Sequence, residues 1–122
     1  MNWKKDKFTV IKKAISSEMA DFLEDYILLK RRVARTFLDT NYISPVTQDW
    51  GNWKDMQVPG TYSYYGDVAM ETMLHKLKPK MEKATGLKLY ENYAYTRVYK
   101  FKDELRKHKD RFSCEISTTL NL

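Results

Sequence analysis

The chain has 122 residues, 43% of them apolar and 31% charged, which is the balance of one ordinary globular domain rather than of a disordered segment. No apolar run approaches the roughly 20 residues that a membrane-spanning helix requires, and Met1-Asn2-Trp3 passes into lysines without a signal-peptide apolar core, so a cytoplasmic protein with no membrane partner is expected. The formal charge of +6 reads first as a solvated lysine-rich surface and only second as a nucleic-acid surface.

Residues 8–11 (Phe8-Thr9-Val10-Ile11) alternate between flanking lysines, a pattern that predicts a short N-terminal edge strand. Ser16 or Ser17 then offers an N-cap. Glu18, Asp21, Glu24 and Asp25 follow early and Lys30, Arg31, Arg32 and Arg35 late, as the helix dipole favours. Met19, Phe22, Leu23, Tyr26, Ile27, Val33 and Phe37 recur at spacings of three and four apart from one longer step, which predicts an amphipathic helix bracing a core.

Residues 39–66 hold Pro45, Gly51, Pro59 and Gly60 among many aromatic residues, including Trp50, Trp53, Tyr62 and Tyr65. So many rings are costly to leave in water, so this long irregular segment either packs down on itself or lines a pocket. A second helix is expected from about Asp67 to Thr85, with Met70, Met73, Leu74, Leu77 and Met81 on one face, a bend at Pro79 and Gly86 as a left-handed C-cap. His75 falls on its lysine-rich side and reads as an exposed residue.

Beyond Gly86 the period changes to two. Residues 89–99 read as one strand long enough to need a bulge, and residues 112–122 as a second, half-buried one. Cys114, the one cysteine, cannot form an internal disulfide, and its place in the second strand suggests a small buried apolar residue. Between them stands His108-Lys109-Asp110. On extended backbone, residues two apart project from one face roughly 6.6 Å apart, so His108 and Asp110 can reach a single metal ion.

The run Thr61-Tyr62-Ser63-Tyr64-Tyr65, the segment from Met81 to Tyr90 and above all the block from Tyr99 to Leu122 resemble the N-terminal half of prolyl-4-hydroxylase-like 2-oxoglutarate and iron(II)-dependent dioxygenases, of the set found in marine bacteria and their phages. The resemblance implies an α+β fold, with two bracing helices packed on a partial double-stranded β-helix, or jelly-roll, sheet. It also implies a single domain, 1–122, that is the incomplete N-terminal part of the dioxygenase fold. His108 and Asp110 would be iron(II) ligands. Tyr99, nine residues before the histidine, would help hold 2-oxoglutarate, and Tyr62 and Tyr65 would cover a substrate such as a peptidyl proline.

Leu105 and Lys102 stand where the family often has a tyrosine and a turn glycine. The family's second metal histidine and its basic partner for 2-oxoglutarate lie on later strands, and His75 is not accepted in their place. The implied chemistry is oxidative decarboxylation of 2-oxoglutarate coupled to hydroxylation of a C–H bond. The expectation for this chain by itself is an inactive fragment that holds iron and 2-oxoglutarate weakly or not at all. A completing partner chain or a homo-oligomer would pair its open strand edges. Two other classes stay open: a small basic module binding single-stranded nucleic acid by stacking and phosphate contacts, and a protein-interaction module in which His108 and Asp110 are an exposed turn.

Overall fold

Capping chemistry sets the two long helices in place. The computed structural model describes residues 2–122 as α1 (Trp3–Asp6), α2 (Ser17–Asp39), β1 (Tyr62–Tyr65), α3 (Val68–Thr85) and β2 (Tyr95–Val98). Ser16 caps α2 by accepting the amide of Met19, and Asp67 caps α3 by accepting that of Met70. Gly86 ends α3 at φ 73°, its N–H returned to the carbonyl of Glu82. That left-handed conformation costs glycine nothing and an L side chain roughly 1–2 kcal/mol. Pro79 lies inside α3.

The core forms where α2 and α3 meet the inner face of β1. Leu23, Ile27, Ala34, Tyr62, Met70, Met73 and Leu77 make one buried cluster, with Trp50, Trp53, Val98 and Leu120 packed against it. Each fully buried Leu, Ile or Met contributes roughly 1.5–3 kcal/mol through apolar area removed from water. The buried stripe of α2 is narrower than its periodicity suggests, because Phe22 is 65% exposed.

A polar strut crosses this core. The Asp67 carboxylate, whose side chain is fully buried, accepts Lys30 Nζ at 2.5 Å and the Tyr26 hydroxyl at 2.5 Å. The Lys30 ammonium also sits 3.8 Å from the centroid of the Tyr64 ring. Burial opposes ionisation of Asp67, but the hydrogen bonds from Lys30, Tyr26 and the Met70 amide outweigh it and hold the carboxyl below its ordinary range.

β1 and β2 pair antiparallel, Tyr62 opposite Val98 and Tyr65 opposite Tyr95. The described residues thus form a mixed helix and strand structure, three helices and one two-stranded antiparallel sheet. None of the described helices is long and apolar enough to cross a membrane.

Three expected strands come out differently. Residues 8–11 are not a strand but follow the short helix α1, the one expected over 89–99 is reduced to Tyr95–Val98, and residues 112–122 form no ladder despite their alternation. Alternation marks which side chains could turn inward, but a strand also needs a neighbouring backbone to bond. β2 finds β1, whereas residues 112–122 lie along the surface, with only Cys114, Ile116 and Leu120 partly covered. Cys114 is accordingly half-buried rather than enclosed.

Candidate functional site

The irregular segment before β1 is tied to β2 by one ion pair. Arg97 Nε lies 2.5 Å from Asp55 Oδ2, with the two side chains 12% and 6% exposed, and the Tyr95 hydroxyl donates to the same oxygen at 2.9 Å. Arg97 also donates to Gln57. Trp53 and Tyr62 pack at a ring separation of 4.9 Å, and the Tyr62 hydroxyl donates to the carbonyl of Trp50 at 2.5 Å. The aromatic loop therefore packs onto the sheet.

β2 leads into the turn Lys100-Phe101-Lys102-Asp103, closed by the Asp103 amide on the Lys100 carbonyl at 3.0 Å. Lys102 adopts φ 70°, the left-handed conformation that favours glycine at the third position of such a turn. Asp103 secures the turn by accepting the Lys100 amide at 2.8 Å, Lys100 Nζ at 2.6 Å and the Thr61 hydroxyl at 2.7 Å. Those bonds, the Lys100 amide foremost, hold its carboxyl down at about 2.

Past this turn the chain delivers His108 and Asp110 side by side. His108 Nε2 lies 3.3 Å from Asp110 Oδ1, and His108 Nδ1 faces the Arg106 carbonyl at 2.9 Å. A carbonyl only accepts, so Nδ1 donates to it, and that bond turns Nε2 toward Asp110. The other Asp110 oxygen accepts the Ser117 hydroxyl at 2.6 Å. That bond, aided by the neighbouring His108 ring and Arg97, holds the Asp110 carboxyl below its ordinary range against a partial burial penalty. A carboxylate oxygen and an imidazole nitrogen thus meet at one solvent-reachable place, two donor types that a divalent metal takes when the imidazole is neutral.

Arg111 anchors the triplet to the sheet. Its guanidinium sits 4.5 Å from the Tyr93 ring centroid and 5.6 Å from that of Tyr65, and those rings are 5.0 Å apart. Asn92 Nδ2 adds bonds to the carbonyl and hydroxyl of Ser113 at 3.0 and 2.9 Å. Tyr65, 53% exposed, is thus joined by Arg111 to the segment that carries His108 and Asp110. Tyr62 is 1% exposed, with burial pushing its phenol up to about 12, so its ring faces the core. Tyr99 is half exposed, one residue beyond the end of β2. His75 lies on α3 and faces Glu91 at 2.6 Å, apart from these groups.

Ser117, Arg111 and Arg97 are the site residues that sequence reasoning missed. Ser117 lies seven residues beyond Asp110, on the polar side of the alternating segment, and only the folding back of that segment reveals it. Among the described residues no group of three or more His, Cys, Asp or Glu side chains is gathered as a metal site, so His108 and Asp110 stand as a pair. Comparison with protein-family models, curated proteins and solved structures gave no match.

Proposed function

We propose that the chain supplies two of the three metal ligands of a prolyl-hydroxylase-like 2-oxoglutarate and iron(II)-dependent dioxygenase, with a partial jelly roll as its scaffold and the cytoplasm as its setting. The observation that carries the reading is the convergence of His108 Nε2 and Asp110 Oδ1 at 3.3 Å, with the imidazole turned by a backbone carbonyl. The left-handed turn at Lys102 adds support, because the resemblance leads one to expect glycine there.

The donor set fits iron(II): one neutral imidazole and one carboxylate are two members of the facial triad that leaves positions open for other ligands. The third ligand comes from a later strand or a completing chain. When bound, iron would supply the oxidative decarboxylation of 2-oxoglutarate that drives hydroxylation, of a peptidyl proline in the nearest functional analogy. The protein's own work is positional. His108 presents Nε2, Ser117 keeps Asp110 ionised and oriented, and Arg111 holds the triplet against Tyr65 and Tyr93. Tyr99 faces the co-substrate and Tyr65 the substrate, while Tyr62 supports the wall behind them.

Manganese(II), a redox-inert substitute for iron(II), tests the reading by NMR. Paramagnetic broadening should centre on residues 106–111 and 117 and disappear in His108→Ala. Broadening centred on His75 and Glu91, or spread evenly over the acidic surface, would overturn it.

A further inference from the structure

α2 carries a stripe that faces neither the core nor the metal pair. Glu18, Phe22, Asp25, Leu29, Arg32 and Thr36 follow one another at spacings of four and three, so they line one side of the helix over about 27 Å, and all six are exposed. Beside the second half of this stripe runs a groove of about 660 Å³ floored by Leu28, Leu29 and Trp53 and edged by Arg31, Arg32 and Arg35.

The charges along the stripe are segregated. Glu18, Asp21, Glu24 and Asp25 lie in the N-terminal half of the helix, and Arg31, Arg32 and Arg35 in the C-terminal half, which Asp39 closes. Arg35 is paired with Asp39 at 3.0 Å, whereas Arg31 and Arg32 have no ion-pair partner among the described residues. The helix dipole accounts for the order of the charges but not for the two large apolar side chains aligned with them. Phe22 is 65% and Leu29 51% exposed, and Leu29 also lines the groove, so the stripe carries apolar area that the described residues leave open to solvent.

We infer that this face of α2 pairs antiparallel with the same face of a second copy of the chain. A two-fold axis crossing the helix near Leu28 sets the acidic, Phe22-bearing half of each helix against the arginine-edged groove of the other. Every contact then occurs twice, as an isologous interface requires. In this arrangement Asp25 of each copy faces Arg32 of the other, and Phe22 enters the groove beside Trp53. Charge selects the occupant: a nucleic-acid strand would meet the like charge of Asp25 at one end of the groove, whereas a second α2 sets Asp25 against Arg32 on both sides of the two-fold axis. The interface is independent of His108 and Asp110.

Sedimentation of the full chain over a concentration series, at low and at high salt, tests the pairing. The expected result is a monomer–dimer equilibrium weakened at least tenfold by 0.5 M salt and at least tenfold by Arg32→Glu. The compensating double variant Asp25→Arg/Arg32→Glu should restore it. These side chains are exposed, so circular dichroism should show unchanged folding. A chain that stays monomeric at millimolar concentration, or a dimer indifferent to both salt and Arg32→Glu, would overturn the inference. So would binding of an oligothymidylate that is lost with Arg32→Glu in a chain that does not dimerise.

Discussion

Lys30 and Asp67, 37 residues apart in sequence, meet at 2.5 Å beneath the sheet and join the middle of α2 to the first turn of α3. With the Asp67 side chain fully buried, removing either partner strands a charge rather than merely deleting an attraction. Lys30→Met should therefore destabilise the fold by about 3–5 kcal/mol in urea unfolding. Asp67→Ala should cost about 1 kcal/mol more, because it also removes the cap on the Met70 amide.

The same pair sets a pH window. The Asp67 carboxyl is held below its ordinary value, so its contribution is fully present above about pH 4 and is lost as the pH falls through its lowered folded value. For Lys30, burial works against the charge, but its bonds to Asp67 and Tyr26 raise its pKa overall. Its contribution is therefore present below about pH 10.5 and lost above its raised folded value. Thermal melting followed from pH 2 to 6 should show a steep acid limb, flattened in Lys30→Met.

Two glycine positions predict opposite tolerances. At Gly51, φ 83°, an added Cβ would lie 2.6 Å from the Tyr62 ring and 2.7 Å from the Ser63 carbonyl, so Gly51→Ala should cost about 3 kcal/mol by adding overpacking to backbone strain. At Gly86, φ 73°, an added Cβ meets nothing within 4 Å. Gly86→Ala should cost only the left-handed strain of about 1 kcal/mol. Conversely, Lys102→Gly, at φ 70°, should stabilise by about 0.5–1 kcal/mol. Chemical denaturation of the three variants checks all of these.

The sequence made the helices legible because each announces its own ends: Ser16, Asp67 and Gly86 act through neighbours three or four residues away. It made the closeness of His108 and Asp110 legible, because residues two apart on extended backbone project from one face. The strands were overread, since residues 112–122 alternate as a half-buried strand should but have no backbone partner among the described residues. The ties that shape the site lay out of reach for a related reason. Asp55 with Arg97, Tyr65 with Tyr93 and Arg111, and Asp110 with Ser117 are pairings between distant or irregular segments, and no local period encodes them.

Arg97 should matter to stability through its buried pairing with Asp55. Arg97→Ala leaves Asp55 buried without its partner and should cost about 3 kcal/mol. Arg97→Lys keeps the charge but not the planar fork that meets Asp55 and Gln57, so it should recover only part of the loss. Urea midpoints at constant m-value check this.

With iron(II), ascorbate and 2-oxoglutarate, the proposed reading, in which the chain supplies only two of the three ligands, expects the chain by itself to form no more succinate than His108→Ala does. Turnover that vanished in His108→Ala would instead mean that the third ligand is within these residues.

The central claim is that His108 and Asp110 together hold a divalent metal, and a manganese(II) titration read by the electron paramagnetic resonance of the free ion tests it most directly. The wild-type chain should take up manganese weakly and at no more than one equivalent, with Ser117→Ala weakening the affinity about tenfold and His108→Ala and Asp110→Asn each abolishing the uptake. Equal uptake by the wild-type, His108→Ala and Asp110→Asn chains would contradict the account.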